Sequence, residues 1–270
     1  MKKLVMLLLL VLGGMANAQK MEGIDLLIAY KQLVGMQHVT KIHIYDNLGG
    51  EKYKISRKAG KELVEVEEYL TSLKVNCANK EVQELLSDLG VAWEVQKTLI
   101  KTQTKSSEDL KKLMENAVNL AEMSSEIIDL LKEENQLNFS VAKNEVIYSL
   151  YKNSFLVELI ATKTLIKDWN LIENDLTVEI SNLIMEEEIL LNSLLEMTSP
   201  NQDLNSDILD ILYKWAAVEK KCTAPKSELI DLTLLSEKIV ADSNLLSQKT
   251  AAIATKVLDS PVSLTVDQGN

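Results

Sequence analysis

Hydrophobic and polar positions repeat with the period of an α-helix over most of the chain. In residues 106–134 the apolar and small residues lie 3 or 4 positions apart and form one stripe, made of Leu110, Met114, Ala117, Ala121, Ser124, Ile128 and Leu131. Ser106 or Ser107 can cap the start of this helix. The pattern predicts eight helices, near residues 24–46, 51–74, 80–102, 106–134, 141–168, 171–197, 203–221 and 226–258. No glycine or proline separates the fourth from the fifth, so a single continuous helix is an alternative there.

The pattern predicts an all-α fold. No stretch shows the sustained alternation of apolar and polar residues, flanked by turn residues, that a strand requires. A helix over 106–134 is about 40 Å long at 1.5 Å per residue. Helices of this length are typical of elongated antiparallel bundles.

The two halves of the chain resemble each other at a constant shift of 122 residues. The segment 85–95 matches 207–218, which places Trp93 on Trp215. At the same shift, Thr40-Lys41 falls on Thr162-Lys163. A constant shift with the same helix order indicates a tandem duplication. We therefore predict two tandem antiparallel four-helix bundles of long helices, residues 19–137 and 138–260, with a loose C-terminal tail over 261–270.

The first 18 residues have the pattern of a secretory signal peptide. Lys2 and Lys3 precede an apolar run over residues 4–12, and Ala16-Asn17-Ala18 supplies small residues for cleavage after Ala18. Every later apolar run is interrupted by charge, so no transmembrane segment is predicted in the mature chain. We expect an exported protein, which is periplasmic in a bacterium with two membranes and secreted otherwise.

The chain is acidic, with a formal net charge of −11 at pH 7. Loss of Lys2 and Lys3 with the signal peptide would make this −13. Such acidity argues against nucleic acid and against anionic lipid as partners. Solubility of an exported protein is the simpler explanation of the charge.

The first predicted helix carries the candidate binding residues. Lys31, Gly35 and His38 share one face, with Lys41 beside them, while Gln37 lies on the other side. The helix is apolar almost all round, so its polar groups need partners if they are buried. Gly35 costs helix stability relative to alanine, which is explained either by close helix packing or by space for a small ligand.

Neither a metal site nor an enzyme is predicted, and no cofactor is expected. His38 and His43 are five residues apart and do not share a helix face, whereas chelating helical pairs are four apart. A hydrolase needs a nucleophile beside a base, and the sequence offers no such arrangement. The carboxylates of "EVEEYL" and "MEEEILL" fit a solvated helix face.

The tryptophans and cysteines are interpreted structurally. Trp93 and Trp215 each continue an apolar helical stripe, so both are predicted to be core anchors. Cys77 follows a second helix of its unit and Cys222 ends a third, which places them at opposite ends of a unit. A disulfide between them is therefore predicted not to form, unless the units are offset or stacked.

Three segments of the first half resemble a known sensing domain. They are "KQLVGMQHVTKIHIYDN", the following segment that ends in "AW", and "LMENAVNLAEMSSEIIDLLKEEN". It is the periplasmic domain of type IV pilus methyl-accepting chemotaxis transducers and of nitrate-sensing histidine kinases. Its first helix carries [RK]-Q-R-M-L-x-Q-x-x-x-K, which Lys31, Gln32, Gln37 and Lys41 match, while Leu33-Val34-Gly35 replaces Arg-Met-Leu. In the second unit only Lys163 matches clearly.

The resemblance implies an often duplicated four-helix bundle that binds a ligand through this helix. The ligand-binding residues it suggests here, taken with the helix face described above, are Lys31, Gln32, Gln37, His38 and Lys41. Arg57 is the only arginine and lies in the predicted second helix, so nitrate is not the predicted ligand. We expect an exported non-catalytic module for a small polar ligand or an envelope signalling partner, or alternatively an adaptor bundle without a ligand site. Family members often pair through their first helix, which implies a homodimer.

Overall fold

The computed structural model describes residues 25–46, 55–101, 106–135, 141–171, 176–224 and 231–259. These residues form eight helices and no strand. The helices are α1 (25–46), α2 (Ile55–Asn76), α3 (Lys80–Lys101), α4 (Ser107–Asn135), α5 (Val141–Asp168), α6 (Thr177–Thr198), α7 (Gln202–Cys222) and α8 (Leu232–Asp259). The predicted signal peptide, the predicted tail and the junction between the two predicted units lie outside the described residues.

All eight predicted helices are present, and the all-α prediction is confirmed. The stripe predicted for residues 106–134 is buried along its whole length. The Ser106 hydroxyl accepts a hydrogen bond from the Asp109 amide at 3.1 Å, so Ser106 caps α4. Asn201 caps α7 in the same way, accepting from the Leu204 amide at 3.0 Å.

The predicted start of α6 at residue 171 is wrong. The chain turns at Trp169 and Asn170 after α5, and Asn170 has a positive φ of 51°. Leu171 is outside any helix, and α6 begins only at Thr177. Asn170 lies in the predicted gap between the fifth and sixth helices, and asparagine readily adopts the left-handed conformation that ends a helix.

The second half of the chain forms an antiparallel arrangement in which α5 packs on α6 and α8, and α7 packs on α6 and α8. Ion pairs show the antiparallel direction, because residue numbers rise along one helix while they fall along its neighbour. Between α5 and α6 the pairs are Lys152–Glu186 and Lys163–Glu179. Between α7 and α8 they are Lys221–Asp242 and Lys256–Asp207. The connections are short, which is the usual basis of antiparallel neighbours in a bundle.

The helix bounds repeat at the shift found in the sequence. A shift of 122 residues converts the bounds of α2 into those of α6, Thr177–Thr198, and places the start of α3 on the start of α7. The last residues of α1 and α5, Asp46 and Asp168, are also 122 positions apart. These matches support the tandem arrangement, although duplication itself stays a prediction.

The two halves meet through α1 and α5, which run parallel. Near one end Tyr30 stacks on Tyr151, with ring centroids 4.8 Å apart and an interplanar angle of 5°. Further along, His38 and Lys41 both contact Glu158. Residue numbers therefore rise together along both helices. Side chains of α5 are buried on nearly every side, as expected of a helix at the centre of a fold.

Both tryptophans predicted as core anchors are buried, with Trp93 and Trp215 each 1% exposed. Cys77 lies just after α2 and Cys222 at the end of α7, and both are buried free thiols. Among the described residues, no helix combines the length and apolar character needed to cross a membrane.

The interpretation of "MEEEILL" as a solvated helix face is wrong for one residue. Glu187 is fully buried, whereas its neighbours Glu186 and Glu188 are exposed. Asn153 donates a hydrogen bond from Nδ2 to Glu187 Oε1, and Thr250 Oγ1 lies 2.9 Å from Asn153 Oδ1. Three consecutive carboxylates span about 200° of a helix, so one of them can point inward.

Candidate functional site

The central feature of the α1–α5 contact is a buried ion pair. Lys41 Nζ lies 2.6 Å from Glu158 Oε2, and both side chains have no exposed surface. The same ammonium group donates to Ser243 Oγ at 2.8 Å and to Asn244 Oδ1 at 2.5 Å, both on α8. All three hydrogens of the ammonium group thus have acceptors. The pair connects α1, α5 and α8.

His38 extends this network to α2. Its Nδ1 lies 3.2 Å from Glu158 Oε1, and its Nε2 lies 2.9 Å from Glu62 Oε2. Ionised carboxylates only accept hydrogen bonds, so a ring with a carboxylate at each nitrogen is best satisfied as the doubly protonated imidazolium. With His38 charged, the two carboxylates are balanced by two cations.

The pKa directions agree with this charge state. Burial lowers the pKa of His38, but Glu158 and the hydrogen bond to Glu62 outweigh that effect, and the pKa is raised above 6.5. Burial raises the pKa of Glu158, but Lys41 and His38 outweigh it and bring the pKa to about 2. Burial lowers the pKa of Lys41, and Glu158 opposes the change without cancelling it.

A cleft of about 240 Å³ opens beside this network. Residues of α1, α2, α5 and α8 line it, and His38 and Glu62 form part of its wall. Its other polar and aromatic lining residues are Lys31, Glu65, Tyr69, Tyr151, Asn244, Ser247 and Gln248. The cleft therefore offers cationic, anionic and neutral hydrogen-bonding groups within one small volume, which is typical of sites for polar ligands.

The predicted site residues are divided by the structure into two groups. Lys31 and His38 line the cleft, and Lys41 lies behind it in the ion pair. Gln32 and Gln37 are buried and do not line the cleft. Gln32 Nε2 lies 3.3 Å from Met36 Sδ, and Gln37 donates to the Ala117 carbonyl at 2.9 Å.

Gly35 serves the close approach of α1 and α2. A Cβ atom at this position would lie 2.7 Å from Cγ2 of Val66, which is itself buried. Gly35 also lines the cleft, so this glycine both allows close helix packing and leaves space beside the cleft. The valine side chain is restricted in χ1 within a helix and cannot easily turn away.

We expect Gly35→Ala to lower the free energy of unfolding by up to about 2 kcal/mol. Overpacking costs about 1–3 kcal/mol, which exceeds the roughly 1 kcal/mol gained when alanine replaces glycine in a helix. Urea denaturation followed by tryptophan fluorescence measures the change. Gly90→Ala is the matched control, because the added Cβ would meet the movable end of Lys74. Equal effects of the two substitutions would contradict the packing argument.

The hydroxyl group of Ser243 and the amine of Lys41 are both engaged in other contacts. Ser243 is the hydroxyl closest to the lysine, at 2.8 Å, but its side chain is fully buried and lies 3.2 Å from the Val240 carbonyl. Lys41 holds an ion pair and is not free to act as a base. Within the described ranges, no group of three histidine, cysteine or acidic side chains is arranged to hold a metal ion.

Sequence reasoning missed Glu158, Glu62 and the α8 residues of the network. Glu158 did carry a signal, because it is the one charge in the apolar segment "SFLVELIAT". A lone carboxylate on a helix that is otherwise buried requires a cation, and Lys41 has the same character in α1. Glu62 offered no such signal, since it lies among several other charged residues of α2.

Comparison with known proteins finds no matching family model, curated protein or solved structure. The resemblance to the periplasmic sensing domain therefore stays a prediction that depends on the residues of α1.

Proposed function

We propose that this chain is an exported, non-catalytic binding module that receives a small polar ligand in the cleft between α1, α2, α5 and α8. The observation that supports this proposal best is the position of His38. Its ring lies in the cleft wall, and its two nitrogens contact carboxylates on α2 and α5. A ligand that altered the His38–Glu62 contact would change the attachment of α2 to the central helices.

The mixed lining favours a ligand with polar groups of both signs or a neutral polar ligand. Lys31 offers a cation, Glu65 an anion, and Gln248 an amide. Tyr69 and Tyr151 add aromatic surface to the cleft wall. A sensor-like role follows from the resemblance of α1 to periplasmic sensing domains, and an envelope protein would then carry the signal onward.

The test is a thermal-shift screen of the protein against free amino acids, small carboxylates, inorganic anions and small amines. A ligand that binds only the native state raises the melting temperature by mass action. At a ligand concentration of 100 Kd, the free energy of unfolding rises by about 2.7 kcal/mol. We expect at least one compound to raise it in wild type and to lose the effect in the double variant Lys31→Ala, Gln248→Ala.

Gln37→Ala is the matched control, because Gln37 lies on the same helix but outside the cleft. This variant should be less stable and still respond to the ligand. The absence of a response to every compound, or a response that survives in the double variant, would refute the ligand-binding proposal.

The second candidate is an adaptor bundle without a small-molecule site. The observation in its favour is the close contact of Gly35 with Val66, which fills the space beside the first helix. Pull-down of envelope proteins with the wild-type chain tests the adaptor role, and size-exclusion chromatography tests the homodimer that the resemblance implies.

A further inference from the structure

A groove of about 580 Å³ lies between α4 and α5, away from the ligand cleft. Its apolar surface consists of Val118, Ala121, Leu130, Phe155 and Leu159. Phe155 and Leu159 are one helical turn apart on α5, and both remain partly exposed. Phe155 also packs against the core, and the two side chains form the apolar surface on the α5 side of the groove.

The rim of this groove is acidic along α4. It carries Glu122, Glu126, Asp129 and Glu133, which extend over about 16 Å of helix. In the described part of the chain none of these carboxylates forms an ion pair. The lysine closest to them in sequence, Lys132, instead places its Nζ 3.3 Å from the centroid of the Tyr148 ring.

The corresponding face of α8 is neutral. Four residues of the groove on α4 have counterparts on α8 at the shift of 122 residues, and all four counterparts line the ligand cleft. The pairs are Glu122 with Asn244, Ser125 with Ser247, Glu126 with Gln248, and Asp129 with Ala251. The corresponding faces of α4 and α8 thus border two separate openings, the groove and the ligand cleft. Only the face on α4 carries charge, and all of that charge is negative.

We infer that the α4–α5 groove docks an amphipathic helix of a partner protein that is apolar on one face and carries lysine or arginine along its edge. A helix laid in the groove would cover Phe155 and Leu159 with its apolar face and place its cations against the α4 carboxylates. The negative rim selects a basic partner by charge complementarity and speeds its encounter. The same charge repels an anionic membrane surface.

This docking surface is independent of the proposed ligand cleft, because no residue lines both openings. Failure of one proposal therefore leaves the other standing. The two tests also use different variants and different probes.

The experiment is a selection from a random phage-displayed library of peptides about twenty residues long, enough for about 30 Å of helix. We expect the enriched peptides to carry lysine or arginine together with apolar residues spaced 3 and 4 apart. Affinity of a synthetic enriched peptide, measured by fluorescence anisotropy, should fall about tenfold in Phe155→Ala, as expected when an anchor contact is lost. It should also fall with rising salt.

Two triple variants separate the groove from overall charge. Glu122→Gln, Glu126→Gln, Glu133→Gln neutralises the rim, and we expect about tenfold weaker binding. Glu81→Gln, Glu84→Gln, Glu115→Gln changes the net charge equally at exposed positions outside the groove and should leave affinity within about twofold. Circular dichroism of each variant verifies that the helices are intact.

Three results would overturn the inference. They are a selection with no enriched peptide, enriched peptides without basic residues, and equal affinities for the two triple variants.

Discussion

Replacement of Lys41 by methionine is expected to lower the free energy of unfolding by about 3–5 kcal/mol, because it leaves a buried carboxylate without its closest cation. Glu158 has no exposed surface, and its remaining cation, His38, is at 3.2 Å. Ser243 and Asn244 also lose the donor that they share. Urea denaturation monitored by tryptophan fluorescence at pH 7 measures the loss.

Lys163→Met is the matched control, since Lys163 is the corresponding lysine of the second half. It pairs with Glu179 at 2.6 Å, and that carboxylate is 57% exposed. An ion pair open to solvent contributes about 0–1 kcal/mol. If the two lysine substitutions cost the same, the buried network does not stabilise the junction of the halves as described.

The double variant Lys41→Met, Glu158→Leu distinguishes loss of the pair from loss of packing. Replacing a buried ion pair by apolar side chains of similar volume is often neutral or stabilising, whereas removal of one partner is costly. The double variant should therefore be more stable than Lys41→Met alone. A double variant that is less stable than the single one would mean that Glu158 still stabilises the fold without Lys41, through its contact with His38.

Substitution of Glu187 by glutamine is expected to stabilise the protein, and to do so increasingly as the pH rises. Burial raises the pKa of Glu187 well above 4.5, so between pH 4.5 and the folded pKa this carboxyl is neutral when folded and ionised when unfolded. A raised folded pKa gives stability that is complete below the unfolded value and is lost as the pH rises toward the folded value. Glutamine keeps an oxygen to accept from Asn153 and has no proton to lose.

The difference between the variant and wild type should grow by about 1.4 kcal/mol per pH unit above pH 4.5, until the folded pKa is reached. Urea denaturation at several pH values between 4 and 8 measures it. Glu186→Gln is the control, because Glu186 is 45% exposed and pairs with Lys152 at the surface. A Glu187→Gln variant whose advantage does not change with pH would show that Glu187 is ionised in the folded protein.

The helices could be predicted because their buried faces repeat every 3 or 4 residues over long segments. The stripe of α4 and the stripes that hold Trp93 and Trp215 are all buried as expected. The start of α6 was placed six residues too early, because no glycine or proline between Leu171 and Thr177 marks a longer break in the sequence. Local periodicity does not report where a helix is interrupted.

The candidate site could be predicted only on one of its helices. The unusual polar residues of α1 were visible in the sequence, but their partners lie on α2, α5 and α8, at separations of 24 to more than 200 residues. Which helix faces Lys41 depends on the packing of the two halves, which no local pattern encodes. Glu187 was misjudged for a related reason, since the Asn153 that accompanies it lies on another helix.

The parallel contact of α1 with α5 has the form of a contact between the equivalent helices of two copies of one protein. In a pair of identical subunits, each substitution occurs twice, so a lysine added on one side of the contact also appears on the other. Linkage of the halves in one chain removes this restriction. Glu158 stands where the first half has Met36, and Lys41 meets it while Lys163 does not. Each half can therefore specialise for a different task.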